Sequence, residues 1–244
     1  MKSVPATKKK SKQNNSFLLV IIGILVLITV LLLLLFFLRN TSEKAAFEGM
    51  PNYTEIRGDY DIEGFKYEKQ PHLGSPDAKV KVVEFADYKC PACARWSVAN
   101  MERFKQEYVD TGKVELFFMN FAFIDRDSIL AASAGEAIFH QSNEKFWEFN
   151  SKLFEQQGDE TQIWATPSFL LDFVKNNIEG IDYDLFEKDL KEHTYMLDVK
   201  EDYKTGGNYG VNGTPQFFVN NQLVRDTSYE TLAAAVDAAL AAVE

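Results

Sequence analysis

Cysteine, histidine and basic residues are all scarce in this chain of 244 residues. It has two cysteines and three histidines, and 26 Lys and Arg residues stand against 36 Asp and Glu residues. Two cysteines cannot supply the several disulfides that staple small secreted domains. Six of the basic residues lie within the first 40 positions, so the rest of the chain carries 20 basic against 36 acidic residues. An acidic surface of this kind argues against a nucleic-acid partner.

Long hydrophobic runs are also missing, with one exception. Residues 17–38, FLLVIIGILVLITVLLLLLFFL, form 22 consecutive positions without a charge. As a helix this run would be about 33 Å long, enough to cross a hydrocarbon layer of ~30 Å. The apolar part of a signal peptide is only about 7–15 residues long, and no small-residue cleavage pattern follows Leu38. We therefore predict an uncleaved transmembrane anchor over residues 17–38.

The charges that flank this run indicate its orientation. The cluster KKKSK at residues 8–12 precedes the run, and the positive-inside bias places residues 1–16 in the cytoplasm. We expect a single-pass protein of the cell membrane whose larger part lies outside the cytoplasm, where disulfides persist. Residues 39–75 are polar and contain Pro51 and Pro71, which predicts a flexible tether with a reach on the order of 35 Å.

Hydrophobic periodicity changes after residue 75. Residues 79–87 and 113–123 are rich in Val and Phe, as buried strands are, and a helical pattern beginning near Cys90 separates them. Helical spacing then extends over residues 126–204, and we interpret it as four helices. The last of these begins at Asp182 and ends near Gly206 and Gly207.

The end of the chain returns to strand patterns. Residues 214–224 predict a β-hairpin that turns at Asn220 and Asn221. Residues 227–230, Thr-Ser-Tyr-Glu, match a capping box, with Thr227 as the N-cap of a final helix. The predicted order is therefore β-α-β, a helical block, and then β-β-α.

Both cysteines lie in the short segment EFADYKCPACARW, residues 84–96. Cys90 and Cys93 would close too small a ring to stabilise the fold by restricting the unfolded chain. Cys90 begins a predicted helix, where the helix dipole and free N–H groups lower a thiol pKa. Pro91 suits the first helical turn, and Cys93 follows one turn later. One exposed reactive sulfur beside one shielded sulfur suits thiol–disulfide exchange.

The segment PHLGSPDAKVKVVEFADYKCPAC, residues 71–93, resembles the first core strand and active site of the DsbA-like thiol-disulfide oxidoreductases. The segment GVNGTPQFFVNNQLV, residues 210–224, resembles the second signature of that family, a cis-proline followed by a hairpin. The resemblance covers residues 71–244 and implies a thioredoxin-like α/β fold with an inserted helical domain. Residues 76–125 and 205–244 would then form the thioredoxin-like domain, and residues 126–204 the all-helical insertion.

The resemblance also implies roles for residues near the cysteines. Pro215 would be the cis-proline that faces Cys90, and the backbone of Thr214 would contact an incoming peptide. Glu84 resembles the buried acid that accepts a proton from the second cysteine. The alternative for Glu84 is a surface carboxylate on a strand edge.

Ala92 departs from the pattern of the strongest oxidants in the family, which carry a histidine at this position. Because its methyl group adds no hydrogen bond or charge to the Cys90 thiolate, we predict a pair less oxidising than the extreme of the family. The range is bracketed by thioredoxin at about -270 mV and DsbA at about -120 mV.

Taken together, these features predict a membrane-tethered oxidase that introduces disulfides into secreted proteins, with the Cys90–Cys93 disulfide as its only redox group and no metal. Its expected partners are the thiols of unfolded secreted proteins and a quinone-linked integral-membrane protein, and the chain itself is expected to be a monomer. Three alternatives remain open. The pair could reduce or isomerise disulfides, the chain could be a tethered peptide-binding or chaperone module, or the cysteines could be half of a zinc site. His72, His140 and His193 lack paired zinc-ligand spacing.

Overall fold

This computed structural model describes residues 15–46 and 48–243, with the side chains of 18–38 and 48–243. The chain separates into two compact units, residues 1–48 and 49–244. Residues 1–14, which make up most of the predicted cytoplasmic tail, lie outside the described residues.

The first unit contains helix α1, Asn15–Ala46. Within it, residues 18–38 are long and apolar enough to cross a membrane, with a mean hydropathy of 3.5. Every side chain in this span is exposed, as a surface in contact with lipid acyl chains would be. The span matches the predicted anchor. The helix continues for eight residues beyond Leu38, so the first part of the predicted tether is helical instead of coiled.

The second unit is built on a five-stranded sheet with strand order β1-β3-β2-β4-β5. The strands are β1 His72–Leu73, β2 Val80–Ala86, β3 Val114–Asn120, β4 Gln216–Val219 and β5 Gln222–Leu223. β2 and β3 are parallel, and the other neighbours are antiparallel. The two parallel strands are buried along nearly their whole length. Helices and the first residues of the second unit, which include Phe65, cover the sheet on both sides.

A continuous helical segment connects β2 to β3. It comprises α2 (Pro91–Trp96), a π-helical stretch (Ser97–Met101), α3 (Glu102–Phe104) and a second π-helical stretch (Lys105–Val109). With the last helix, α9 (Tyr229–Ala241), it covers one face of the sheet. Side chains that alternate along β2 explain this arrangement. Val80 and Val82 pack with Trp96 and Phe104 on this face, whereas Val83 and Phe85 pack on the other face.

Five helices, not the predicted four, form the helical block. They are α4 Arg126–Phe139, α5 Asn143–Glu155, α6 Pro167–Asn177, α7 Tyr183–Glu192 and α8 Met196–Asn208. The predicted last helix is interrupted at His193, whose φ of 57° is left-handed and ends α7. α8 ends at Asn208, one residue after Gly207, which is close to the predicted end.

The C-terminal elements largely follow the prediction. Asn220 and Asn221 both have positive φ and form the tight turn between β4 and β5. The N-cap of α9 is Ser228, not Thr227, and its hydroxyl accepts from the backbone N–H of Thr231. The predicted capping box therefore does not form, because the third residue of the helix is Thr231 and not Glu230.

Residues 49–75 do not form the predicted flexible tether, because they pack against the rest of the second unit. Met50 and Phe65 are 5% and 2% exposed, and the Tyr53 hydroxyl donates to the carbonyl oxygen of Ala122 at 2.9 Å. The segment ends in a 3₁₀ turn, Tyr67–Lys69, and in β1. Burial of the aromatic side chains in this segment stabilises its packed state. Polar residues separate these aromatic residues in the sequence, so no hydrophobic pattern indicates the packing.

Candidate active site

The cysteine pair lies in the turn that follows the central strand β2. The backbone N–H of Cys90 donates to the carbonyl oxygen of Asp87 at 2.9 Å and closes the turn. Cys90 has extended backbone angles and is the N-cap of α2, with Pro91 in the first helical position. Both cysteines are free thiols. The predicted placement at a helix N-terminus is therefore present.

The two sulfurs lie in different environments. Cys90 is 8% exposed and Cys93 is 0% exposed. A hydrogen bond from Cys93 lowers the pKa of Cys90 to about 6, with further contributions from Thr214 and from the backbone N–H groups of Cys93 and Ala92. Burial raises the pKa of Cys93 well above its ordinary value, and the neighbouring Cys90 raises it further. The pair thus combines one reactive thiolate with one protected thiol.

The loop before β4 approaches the cysteines from the same edge of the sheet. β4 runs antiparallel to β2 and begins with Gln216 opposite Phe85. The preceding Thr214–Pro215 peptide bond is cis, as the family resemblance implies. The Cys90 thiol donates to the carbonyl oxygen of Thr214 at 3.2 Å. The Thr214 hydroxyl is buried and lowers the pKa of both cysteines, although it makes no hydrogen bond of ordinary geometry among the described residues.

Glu84 is a buried carboxyl on the central strand and does not lie at a strand edge. It is 1% exposed and lies between Phe118 of β3 and Phe217 of β4. Alternation along β2 puts it on the face that α2 covers, together with Val82. Burial raises the pKa of Glu84 to about 8. Its Oε1 atom has no hydrogen-bond partner among the described residues, so the protonated form is favoured at neutral pH.

Pro91 and Ala92 separate the cysteines and are both partly exposed. The backbone N–H of Ala92 helps to lower the pKa of Cys90, whereas its methyl side chain has no donor to add. The Ala92 side chain therefore gives the Cys90 thiolate no hydrogen bond, as the sequence predicted from the absence of a histidine at this position. The three histidines lie on β1, after α4 and after α7, and none makes a described hydrogen bond to either cysteine.

Sequence reasoning missed the charged residues that surround the turn. Asp87 is 1% exposed and accepts from the backbone N–H groups of Lys89 at 2.8 Å and Phe123 at 2.9 Å. It also accepts from the Ser128 hydroxyl. Lys89 is 1% exposed. An Asp or Lys next to a reactive cysteine is ordinarily a solvated turn residue, so no local signal distinguished these side chains.

Comparisons with known proteins agree with this geometry. A family model described as thioredoxin (Thioredoxin_4) matches residues 66–238. The chain is 42% identical over 175 residues to a probable disulfide bond formation protein D of Bacillus anthracis, covering 72% of this chain and 80% of that protein. It is 34% identical over 157 residues to disulfide bond formation protein D of Bacillus subtilis, covering 64% and 70% of the two chains.

Solved structures show the same architecture. Oxidised BdbD from Bacillus subtilis superimposes with a TM-score of 0.67 at 31% identity, covering 76% of this chain and 98% of the other. Chlamydia trachomatis DsbA superimposes with a TM-score of 0.67 at 22% identity, covering 78% and 99%, which supports the fold alone. With a family model matched over residues 66–238, and with the Cys90 sulfur 3.2 Å from the carbonyl oxygen that precedes a cis-proline, this chain belongs to the DsbA-like thiol-disulfide oxidoreductases of the thioredoxin family.

Proposed function

We propose that this protein introduces disulfides into proteins outside the cytoplasm by exchange at Cys90 and Cys93. The observation that carries the proposal is the asymmetry of the pair, because the Cys90 pKa is lowered to about 6 while Cys93 is fully buried with a raised pKa. A stabilised thiolate favours the reduced form of the pair, and a favoured reduced form makes its disulfide a donor.

The exchange has two balanced steps. A substrate thiolate attacks the Cys90 sulfur of the oxidised pair, which forms a mixed disulfide and breaks the Cys90–Cys93 bond. Cys93 leaves with the electron pair and takes up a proton. A second substrate thiolate then attacks the substrate sulfur of the mixed disulfide and expels Cys90 as a thiolate. The substrate loses two electrons as its disulfide forms, and the enzyme gains them as a dithiol.

Glu84 is proposed as the proton acceptor and donor for Cys93. A carboxyl whose pKa is about 8 holds and releases a proton near neutral pH. It lies on the face of β2 that α2 covers, and α2 carries Cys93. Pro215 and Thr214 are proposed to bound the site where the substrate peptide lies, since the Thr214 carbonyl is within 3.2 Å of the Cys90 sulfur.

Oxidation is the direction that the relatives' names support, since two of them are called disulfide bond formation protein D. The strength of the oxidant is expected to be intermediate. A cysteine pKa of about 6 lies between the values of about 7 for thioredoxin and about 3.5 for DsbA. Ala92 accounts for this intermediate pKa, because its methyl group cannot donate a hydrogen bond to the Cys90 thiolate.

Membrane attachment through residues 17–38, with the N-terminus in the cytoplasm, belongs to the same proposal. The span over residues 18–38 supports it. We propose that the catalytic unit is a monomer and that it passes its electrons to a quinone-linked integral-membrane partner. Its substrates would be the free thiols of unfolded secreted proteins.

The equilibrium between this pair and glutathione tests the direction. The full-length protein in detergent would be equilibrated with defined ratios of reduced and oxidised glutathione, and its two redox states would be counted by thiol alkylation. A potential above about -180 mV supports disulfide donation, and one near about -250 mV or lower indicates a reductase. Cys90→Ser is the control for a peptide-binding role. If that variant kept full biological function, the exchange proposal would be wrong.

A further inference from the structure

The turn between β2 and α2 is attached to the helical block by a buried ion pair that the proposed chemistry does not use. Lys89 Nζ donates to Asp127 Oδ1 at 2.7 Å, and the two side chains are 1% and 0% exposed. The same ammonium group donates to the carbonyl oxygen of Gln162 at 2.9 Å. Lysine is almost never fully buried unless it is paired. Asp127 therefore determines where Lys89, the residue before Cys90, can lie.

Asp127 is itself held by its surroundings. It lies in the first turn of α4, and its Oδ2 accepts from the backbone N–H groups of Trp164 at 2.9 Å and Ala165 at 3.2 Å. Its two oxygens thus bind one ammonium and two backbone donors. A buried carboxylate satisfied in this way has little freedom to move. It links the cysteine turn to α4 and to the segment that leads into α6.

Gln157 forms a second attachment to the same turn. Its Nε2 donates to the carbonyl oxygens of Tyr88 at 2.7 Å and Cys90 at 3.0 Å. These carbonyls belong to the Tyr88–Lys89 and Cys90–Pro91 peptide units, so the side chain fixes the backbone before Lys89 and after Cys90. Gln157 follows the end of α5 and is only partly buried. We call Lys89, Asp127 and Gln157 the turn clamp.

We propose that the turn clamp is a positioning device that holds Cys90 at the N-terminus of α2 when the pair is reduced. The inference rests on the proposed exchange chemistry at Cys90. In the oxidised protein, the covalent ring through Cys93 fixes the Cys90 sulfur. Once the ring opens, the position of that sulfur depends on the backbone of Cys90 and on its contact with Thr214. The clamp therefore stabilises the reduced form selectively, and the helical block makes the pair more oxidising.

The clamp acts through geometry and not through its charge. Lys89 is cationic, but its counterion lies 2.7 Å away and its field at the cysteine is largely cancelled. The hydrogen-bond donors that lower the pKa of Cys90 are the Cys93 thiol and the backbone N–H groups of Cys93 and Ala92, and the nearby Thr214 lowers it further. These donors are effective only if the sulfur stays within their reach. A loose turn would move the sulfur away from them.

Gln157→Leu in the full-length protein in detergent tests this proposal. The measured reaction converts the protein disulfide and two reduced glutathione molecules into the protein dithiol and one oxidised glutathione. We expect its equilibrium constant to fall about tenfold relative to the unchanged protein, which corresponds to about 30 mV for a two-electron couple. We also expect the apparent pKa of Cys90 alkylation to rise. The melting temperature should fall in the reduced protein and stay unchanged in the oxidised protein.

Gln141→Leu is the matched control. Gln141 also donates to a backbone carbonyl, that of Asp182 at 3.2 Å, but this contact lies within the helical block. Its loss should leave the equilibrium constant unchanged. The double variant Lys89→Met with Asp127→Asn removes the ion pair and leaves no unpaired charge, and it keeps an acceptor for the backbone N–H groups. It should shift the equilibrium in the same direction as Gln157→Leu.

A change of less than twofold in the equilibrium constant, with equal losses of melting temperature in both redox states, would overturn the proposal and leave the clamp a structural contact. This outcome is distinguishable from failure of the proposed function. The proposed function is tested by the reduction potential of the unchanged protein. The clamp is tested by the ratio of the equilibrium constants of the variant and the unchanged protein.

Discussion

Cys90 and Thr214 are 124 positions apart in the chain, yet the Cys90 sulfur lies 3.2 Å from the Thr214 carbonyl oxygen. The sheet brings them together, because β2 and β4 are neighbours and the turn after one meets the loop before the other. The carbonyl belongs to the residue before the cis-proline. A single sheet edge thus holds the reactive sulfur, the backbone that faces it and the N-terminus of α2.

Alkylation of the native reduced protein should distinguish the two cysteines. Cys90 should react with iodoacetamide with an apparent pKa of about 6, because only the thiolate reacts. Its rate should fall about tenfold for each pH unit below that value. Cys93 should remain unlabelled at pH 7, since it is fully buried and its pKa is raised. Peptide mass spectrometry identifies the labelled residue, and equal labelling of both cysteines would contradict the predicted asymmetry.

Glu84 should make the stability of the protein depend on pH. Its pKa is raised from 4.5 in the unfolded chain to about 8 in the folded one, so folding takes up a proton between these values. Stability is therefore lost as pH rises through this window. Glu84→Gln removes the proton uptake, and the variant should be more stable than the unchanged protein by about 3 kcal/mol at pH 7.

Urea unfolding of both proteins at pH 4 and pH 8 measures this effect. The difference should be small at pH 4, where the carboxyl is largely protonated in both states, and larger at pH 8. The same variant should resolve a mixed disulfide with a model peptide more slowly, because Cys93 loses its proton acceptor. An unchanged rate of resolution would show that Glu84 has no part in proton transfer.

Ala92→His should make the pair more oxidising. An imidazole at this position can donate to the Cys90 thiolate, as the methyl group cannot. We expect the pKa of Cys90 to fall below about 6 and the equilibrium constant with glutathione to rise at least tenfold, or about 30 mV. Ala94→His on the same helix, outside the cysteine pair, is the control. If both variants shifted the equilibrium equally, a general charge effect would explain the change.

Gly206 and Gly207 should respond oppositely to alanine. A Cβ on Gly206 would lie 2.6 Å from Cδ2 of Phe121, whereas one on Gly207 would meet nothing within 4 Å. Both residues lie inside α8, where alanine is favoured over glycine by about 1 kcal/mol. Gly207→Ala should raise the melting temperature, and Gly206→Ala should lower it through the clash with the Phe121 ring. Thermal unfolding followed by circular dichroism compares them directly.

The local elements were predictable where a short pattern encodes them. Val-rich and Phe-rich runs predicted β2 and β3, and Asn220 with Asn221 predicted the hairpin turn. The break at His193 was not predictable, because a single histidine within a helical pattern gives no turn signal like that of the Asn220–Asn221 pair. β1 was missed because two residues are too few to show alternation.

Some features of the candidate site also follow from the local sequence, whereas others depend on distant segments. The spacing of Cys90 and Cys93 and their place at the start of a helix follow from neighbouring residues alone. The burial of Glu84 does not, because it depends on β3 and β4 lying on either side of β2. Likewise, Lys89 and Asp127 are 38 positions apart, and each reads as a surface charge in its local sequence.

The sequence by itself determined the apolar span, the order of the elements, the redox pair and the position of Cys90 at a helix N-terminus. These properties depend on periodicity and on contacts within a few residues, which the local sequence encodes. Only the tertiary structure decided that residues 49–75 pack on the domain, that Thr214 faces Cys90 and that the turn clamp joins the helical block to the active site. The physical reason is that burial and hydrogen bonding between distant segments depend on the chain topology, which no local pattern contains.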